Sequence, residues 1–211
     1  IINSLLLKKE LNNIIIFTKK GLVKKLDAKL IGETRSKKAM TLIKLKENDE
    51  VIDVRIEKKQ TLIISKNGYH LLFNSDLIPL TGLKSGGVKG INLKEDEAVS
   101  GLTIDENNEY LNIFTNNKTA KRIKVTDLEE LTRAKKGTRL IKNVKAVNYT
   151  ILKAILSNSK DIFGLKTDNG IIEIKNSEIP IMDLLSTGSI ISKEDVLDVF
   201  KYPDIIKAEE A

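Results

Sequence analysis

Four times along this chain, at intervals of about fifty residues, a short apolar run breaks at a turn of small or polar residues. The turns read Thr18-Lys19-Lys20-Gly21, Ser65-Lys66-Asn67-Gly68, Thr115-Asn116-Asn117-Lys118 and Thr167-Asp168-Asn169-Gly170. The runs before them occupy 14–17, 62–64, 111–114 and 162–165. A period of this length makes each copy one supersecondary unit that cannot bury its own apolar face. Stacked copies bury it against each other, and their loops then form a continuous surface able to hold an extended ligand.

The runs are short, β-branched and bounded by turn residues, which favours strands over helices. Residues 51–56 alternate between apolar and polar, the period of a half-buried strand. Counterparts stand at 5–7, 99–104, 151–156 and 196–200, and a second strand follows each turn at 22–26, 69–73, 119–125 and 171–174. A third kind of apolar run, such as 41–45 or 91–93, completes about four strands per repeat, the arithmetic of a propeller blade. Thr126-Asp127-Leu128-Glu129 has capping-box spacing and leaves a short helix over 128–136 as an alternative there.

These observations predict an all-β array over 1–211, with repeats at about 12–58, 59–107, 108–157 and 158–204. Residues 1–11 read as the end strand of a preceding repeat. The chain starts without methionine, and its first charges follow the apolar stretch, the reverse of a secretory signal. It reads as a fragment of a larger disc. There is no cysteine, which excludes disulfides and Cys-based metal sites and fits a reducing cytoplasm. No apolar run approaches the roughly 20 residues needed to span a bilayer.

The formal charge is +7. It is concentrated early: residues 158–211 hold six basic and eleven acidic side chains, and residues 1–157 carry all of the excess positive charge. A polyanionic partner fits that asymmetry better than a generally lysine-rich composition does. The cations recur in the loop after the second strand of the first three repeats. The loops read Gly32-Glu33-Thr34-Arg35-Ser36-Lys37-Lys38, then Thr81-Gly82-Leu83-Lys84-Ser85-Gly86-Gly87-Val88-Lys89-Gly90, then Thr132-Arg133-Ala134-Lys135-Lys136-Gly137-Thr138-Arg139. The fourth, Leu185-Ser186-Thr187-Gly188-Ser189, has no basic residue. Glycine lets a backbone approach phosphate closely, and lysine or arginine displaces its counterions.

Ser65-Lys66-Asn67-Gly68-Tyr69, then Ser75-Asp76-Leu77, then residues 81–93 resemble one repeat of the C-terminal domain of bacterial type IIA topoisomerase A subunits, the gyrase and topoisomerase IV family. The pattern is recognisable in 19–25 and 118–123 and faint in the fourth copy. The resemblance implies a β-pinwheel, a propeller-like disc with about four blades visible here and a strand exchanged between neighbours. It implies a rim that binds and bends double-stranded DNA and presents a segment to the cleavage core for ATP-dependent strand passage. ATP and Mg2+ would act elsewhere in the holoenzyme, an isomerase of DNA topology and chromosome segregation at the bacterial nucleoid. The implied partners are duplex DNA, the remainder of the A subunit, and through it the ATPase B subunit. Gyrase members carry a Gln-Arg-Arg-Gly-Gly-Lys-Gly box. Here Ser85-Gly86-Gly87-Val88-Lys89-Gly90 keeps the glycines and one lysine, which favours the topoisomerase IV branch over a gyrase wrapping domain.

The candidate DNA contacts are Arg35, Lys37, Lys38, Lys84, Lys89, Lys121, Arg122, Arg133, Lys135, Lys136 and Arg139. No catalytic, metal or small-molecule constellation is expected. His70 is the only histidine, and Lys89-Gly90 lacks the Ser or Thr of a P-loop. Aromatic content of 4% disfavours stacking on single strands. A propeller that serves as a protein-interaction platform is the rival reading. The apolar pair Leu71-Leu72, where other repeats carry charge, is a possible contact with another domain.

Overall fold

The computed structural model describes residues 13–32 and 39–202. In chain order the strands are β1 (Asn13–Thr18), β2 (Leu22–Asp27), β3 (Val51–Ile56), β4 (Gln60–Ser65), β5 (Tyr69–Asn74), β6 (Val88–Lys89), β7 (Ala98–Ile104) and β8 (Tyr110–Thr115). They continue as β9 (Thr119–Lys124), β10 (Thr138–Arg139), β11 (Ile151–Ser157), β12 (Ile162–Thr167), β13 (Gly170–Lys175), β14 (Ser189–Ile190) and β15 (Asp198–Lys201). One four-residue helix, α1 (Lys29–Gly32), follows β2.

Each repeat begins as a hairpin, and the turn chemistry shows why. Gly21 and Gly68 have φ of 75° and 85°, where a side chain is strained, and each donates its N–H back across the turn, to Thr18 and Ser65 respectively. The Thr18 hydroxyl accepts the N–H of Leu22, and the Ser65 hydroxyl accepts that of Tyr69. The recurring Thr or Ser is therefore a turn brace.

The sheets order as β3-β1-β2-β6, β10-β5-β4-β7, β11-β8-β9-β14 and β13-β12-β15. The fourth strand of each of the first three sheets is donated by the following repeat. Val88 and Lys89 pair with Val23 and Leu22, Thr138 and Arg139 with His70 and Tyr69, and Ser189 and Ile190 with Ala120 and Thr119. This is the exchange a pinwheel requires, and the all-β, propeller-like expectation holds. The second and third basic loops supply two of the donated strands, and the uncharged fourth loop supplies the third.

Two expectations fail. The runs at 41–45 and 91–93 are not strands. The chain around Ile91 bonds to the preceding turn instead: Gly90 and Ile91 donate to the Gly21 carbonyl, as Leu140 does to that of Gly68. Residues 128–136 are not a helix. A 3-10 turn, Val125–Asp127, ends there, and Leu131 donates to the Leu72 carbonyl at 2.8 Å. The preceding sheet thus takes the hydrogen bonds a helix would need. The expected strand at 5–7 lies outside the described residues.

The core lies between facing sheets. Phe17, Ile63, Leu71 and Phe73 pack between the first and second; Leu62, Leu72, Leu111 and Ile113 between the second and third; Phe114, Phe163 and Leu165 between the third and fourth. Phe114 and Phe163 meet edge to face, with centroids 5.5 Å apart. Gly101 is required here, because a Cβ would fall 2.1 Å from the Phe17 ring. Leu71 and Leu72 are buried in these layers, so they are core residues and not a surface for another domain.

Candidate nucleic-acid interface

The loops reach the preceding sheet through a glycine immediately before the donated strand. A Cβ on Gly137 would lie 1.9 Å from the His70 carbonyl oxygen, and one on Gly188 would lie 2.7 Å from that of Ala120. Both have positive φ, 79° and 86°. Close approach of backbone to backbone is thus built into these loops whether or not phosphate ever meets them.

Buried side chains complete the clamp. Lys24 and Lys121 occupy equivalent places on β2 and β9, and both are 1% exposed. Lys24 Nζ donates to the Ser85 carbonyl at 2.9 Å, in the loop of the next repeat. Lys121 Nζ donates to the carbonyls of Leu140, Asp183 and Leu184 at 2.5, 3.1 and 2.6 Å. Burial pushes the Lys121 ammonium down to about 8, against the nearby Asp183 carboxylate, and it lowers Lys24 as well. On β5 the anchor is His70, whose Nδ1 donates to the Thr138 carbonyl at 3.1 Å. Lys25 beside Lys24 is also buried, in an ion pair with Glu57 at 2.5 Å. The apparent cationic second strands are therefore largely inward-facing. Lys121 has to be withdrawn from the DNA-contact set, since no phosphate can reach a side chain so enclosed.

The other expected residues divide in two. Arg122 is half-buried, with Nε on the Ile179 carbonyl at 2.6 Å and its guanidinium 4.9 Å from the Tyr110 ring centroid. Arg133 also bonds to backbone: its Nε donates to Leu77 at 2.9 Å, and it donates to Lys89 O as well, so it ties the third loop to the second. Lys84, Lys89, Lys135 and Lys136 are exposed. Lys136 and Arg139 both lie on the Tyr69 ring, at 4.4 and 4.7 Å, and hold its hydroxyl below the ordinary value, Lys136 first. The structure thus leaves Lys84, Lys89, Lys135 and Lys136 exposed on two successive donated loops, with half-buried Arg139 at the end of the second. Arg35, Lys37 and Lys38 lie outside the described residues.

The fourth loop differs. Ile190 occupies the place of Lys89 and Arg139 in its donated strand and is 77% exposed, and Ile181 and Leu185 earlier in the same repeat are exposed too. Among the described residues no group of His, Cys, Asp or Glu has metal-site geometry, and no helix is long and apolar enough to cross a membrane.

Four stacked sheets, each of the first three finished by a strand from its successor, define a propeller-like repeat domain with a partly cationic loop surface. The sequence pattern of the family described as "DNA gyrase C-terminal domain, beta-propeller" matches residues 12–56, 60–104 and 109–146, and the chain belongs to that family. It is 30% identical over 185 residues to the A subunit of DNA topoisomerase 4 from Bacillus subtilis, covering 86% of this chain and 23% of that protein. It is 37% identical over 143 residues to the corresponding protein of Staphylococcus aureus strain MRSA252, covering 66% of this chain and 18% of that protein. A crystal structure of the C-terminal domain of DNA topoisomerase IV superposes with a TM-score of 0.85 at 32% identity, covering 93% of this chain and 64% of the other. A DNA gyrase A C-terminal domain matches at 0.79 and 22%, covering 93% and 68%, a likeness of fold alone. The chain thus spans about a quarter or less of the length of these two curated relatives.

Proposed function

We propose that this chain is the non-catalytic duplex-DNA-binding region of a topoisomerase IV A subunit. The observation that carries the reading is the loop exchange, which sets exposed Lys84 and Lys89 on one blade and exposed Lys135 and Lys136, with half-buried Arg139, on the next. Cations on successive blades follow a phosphate backbone and supply sequence-independent affinity. Bending the duplex along the curved rim and presenting it for strand passage extend this reading, with the cleavage core, the ATPase B subunit, ATP and Mg2+ outside this chain. The setting would be the bacterial cytoplasm, at the nucleoid. The topoisomerase IV branch is preferred to gyrase because 85–90 lacks the full arginine-rich box.

Titration of a fluorescent duplex against the chain over a salt series tests this. With about six phosphates contacted, log affinity falls against log salt with a slope of roughly −5. Absence of duplex binding at low salt would sink the reading.

One observation favours an added protein contact. Leu185 and Ile190 put exposed apolar side chains at the fourth loop and its donated strand, where the two preceding loops are basic. A tight protein partner that Ile190→Glu abolishes, with no duplex shift by the wild type, would make the interaction-platform reading the better one.

A further inference from the structure

One strongly charged feature extends beyond the donated loops. Two adjoining hollows, of about 880 and 490 Å³, lie at the hairpin ends of the first two sheets and share the segment 92–96. Lys20, Lys46, Lys89 and Lys94 line the larger one. The smaller adds Tyr69 and Lys136 to Lys94. With Lys66, six exposed lysines therefore border one groove that runs from the first hairpin, past the second loop, to the third loop.

The charge balance decides which of them can act. Lys19 and Lys66 are neutralised, Lys19 by Glu50 and Glu97 at 3.0 and 3.3 Å and Lys66 by Glu97 at 2.8 Å. Asp96 accepts the backbone N–H groups of Asn67 and Glu97, neutral donors that leave its negative charge in the groove beside the lysines. Lys20 Nζ donates to the Glu47 carbonyl at 2.7 Å, a neutral partner that leaves its charge uncompensated. Glu95 is an exposed carboxylate of this groove, set against the lysines.

We propose that this groove is a second contact surface for the sugar-phosphate backbone of the bound duplex, with Lys20, Lys46 and Lys94 as its phosphate ligands. It rests on the duplex-binding reading above and extends the path off the loops onto the hairpin ends. Lysines act on phosphate as point charges and need no fixed geometry, which suits an open groove. The aromatic side chain in the groove, Tyr69, already has Lys136 and Arg139 over its ring, so it offers bases no stacking platform. The contact is therefore to backbone and is independent of sequence.

Three variants of the 211-residue chain test this against a short duplex by fluorescence anisotropy over a salt series. Lys20→Glu/Lys46→Glu/Lys94→Glu should lower affinity at least about tenfold and flatten the salt slope by about 2 to 3. Glu95→Gln should strengthen binding a few-fold. Lys84→Glu/Lys135→Glu/Arg139→Glu reports on the loops alone. If the loop variant loses binding while the groove triple matches wild type in affinity and slope, the groove proposal is overturned and the duplex reading stands. If wild type itself binds no duplex, both fall. Should the glutamate triple melt early, the Lys→Gln triple is measured instead, and wild-type affinity and slope in it overturn the proposal equally.

Discussion

Lys121 Nζ lies 2.6 Å from the carbonyl oxygen of Leu184, which belongs to the loop of the following repeat. The contact is buried and joined by two more carbonyls, so this lysine holds one blade's loop onto another blade's sheet. Lys121→Met should cost about 1–3 kcal/mol, because it strands buried carbonyls. Urea denaturation measures that. Duplex affinity of the folded variant should be unchanged, the opposite of what a phosphate contact predicts.

Gly137 stands where the third loop meets the His70 backbone. Gly137→Ala has to move that loop, and it also places a side chain at φ 79°. A loss of about 1–3 kcal/mol is expected. Gly82→Ala meets nothing within 4 Å and should change stability by less than about 0.5 kcal/mol. Equal melting temperatures for the two variants would refute the close-approach account.

His70 is 1% exposed, and burial pushes its imidazole down to about 4, with the charge of Lys121 adding to the effect. The unfolded chain, with an ordinary value of 6.5, binds the proton first as pH falls. Stability should therefore be full above pH 6.5 and decline between 6.5 and 4, by roughly 3 kcal/mol in all from this group. His70→Gln should remove this step from the pH profile of unfolding.

Phe163 is fully buried between the third and fourth sheets against Phe114. Phe163→Ala should destabilise by about 3–5 kcal/mol. Hydrogen exchange should locate the loss in β12, β13 and β15, because each repeat leans chiefly on its neighbours. Uniform loss across all four sheets would contradict a stacked array.

Much of this was legible in the chain. The turns at Gly21 and Gly68 and the strands beside them follow from local signals, since a hydroxyl brace and a positive φ are properties of four residues. The loops with Lys84, Lys89, Lys135, Lys136 and Arg139 were also visible, as basic residues beside glycine at a fixed period. Lys46 and Lys94 were not, because they come from connections with no shared pattern, and Lys20, though part of a recurring turn, carries no local sign of the groove it borders. Lys121 was misread, since a Lys-Arg pair on a strand looks the same whether it faces solvent or a neighbour's carbonyls.

The sequence alone determined the repeat, the all-β class and the early concentration of positive charge. Each depends on spacing or composition, which the chain carries linearly. The tertiary structure decided which cations are free. Strand exchange places each loop on the sheet of the preceding repeat, so the exposure of a lysine depends on residues some fifty positions away. Lys89 and Lys121 are both lysines of short strands, yet one is exposed and the other is sealed beneath the next blade's loop.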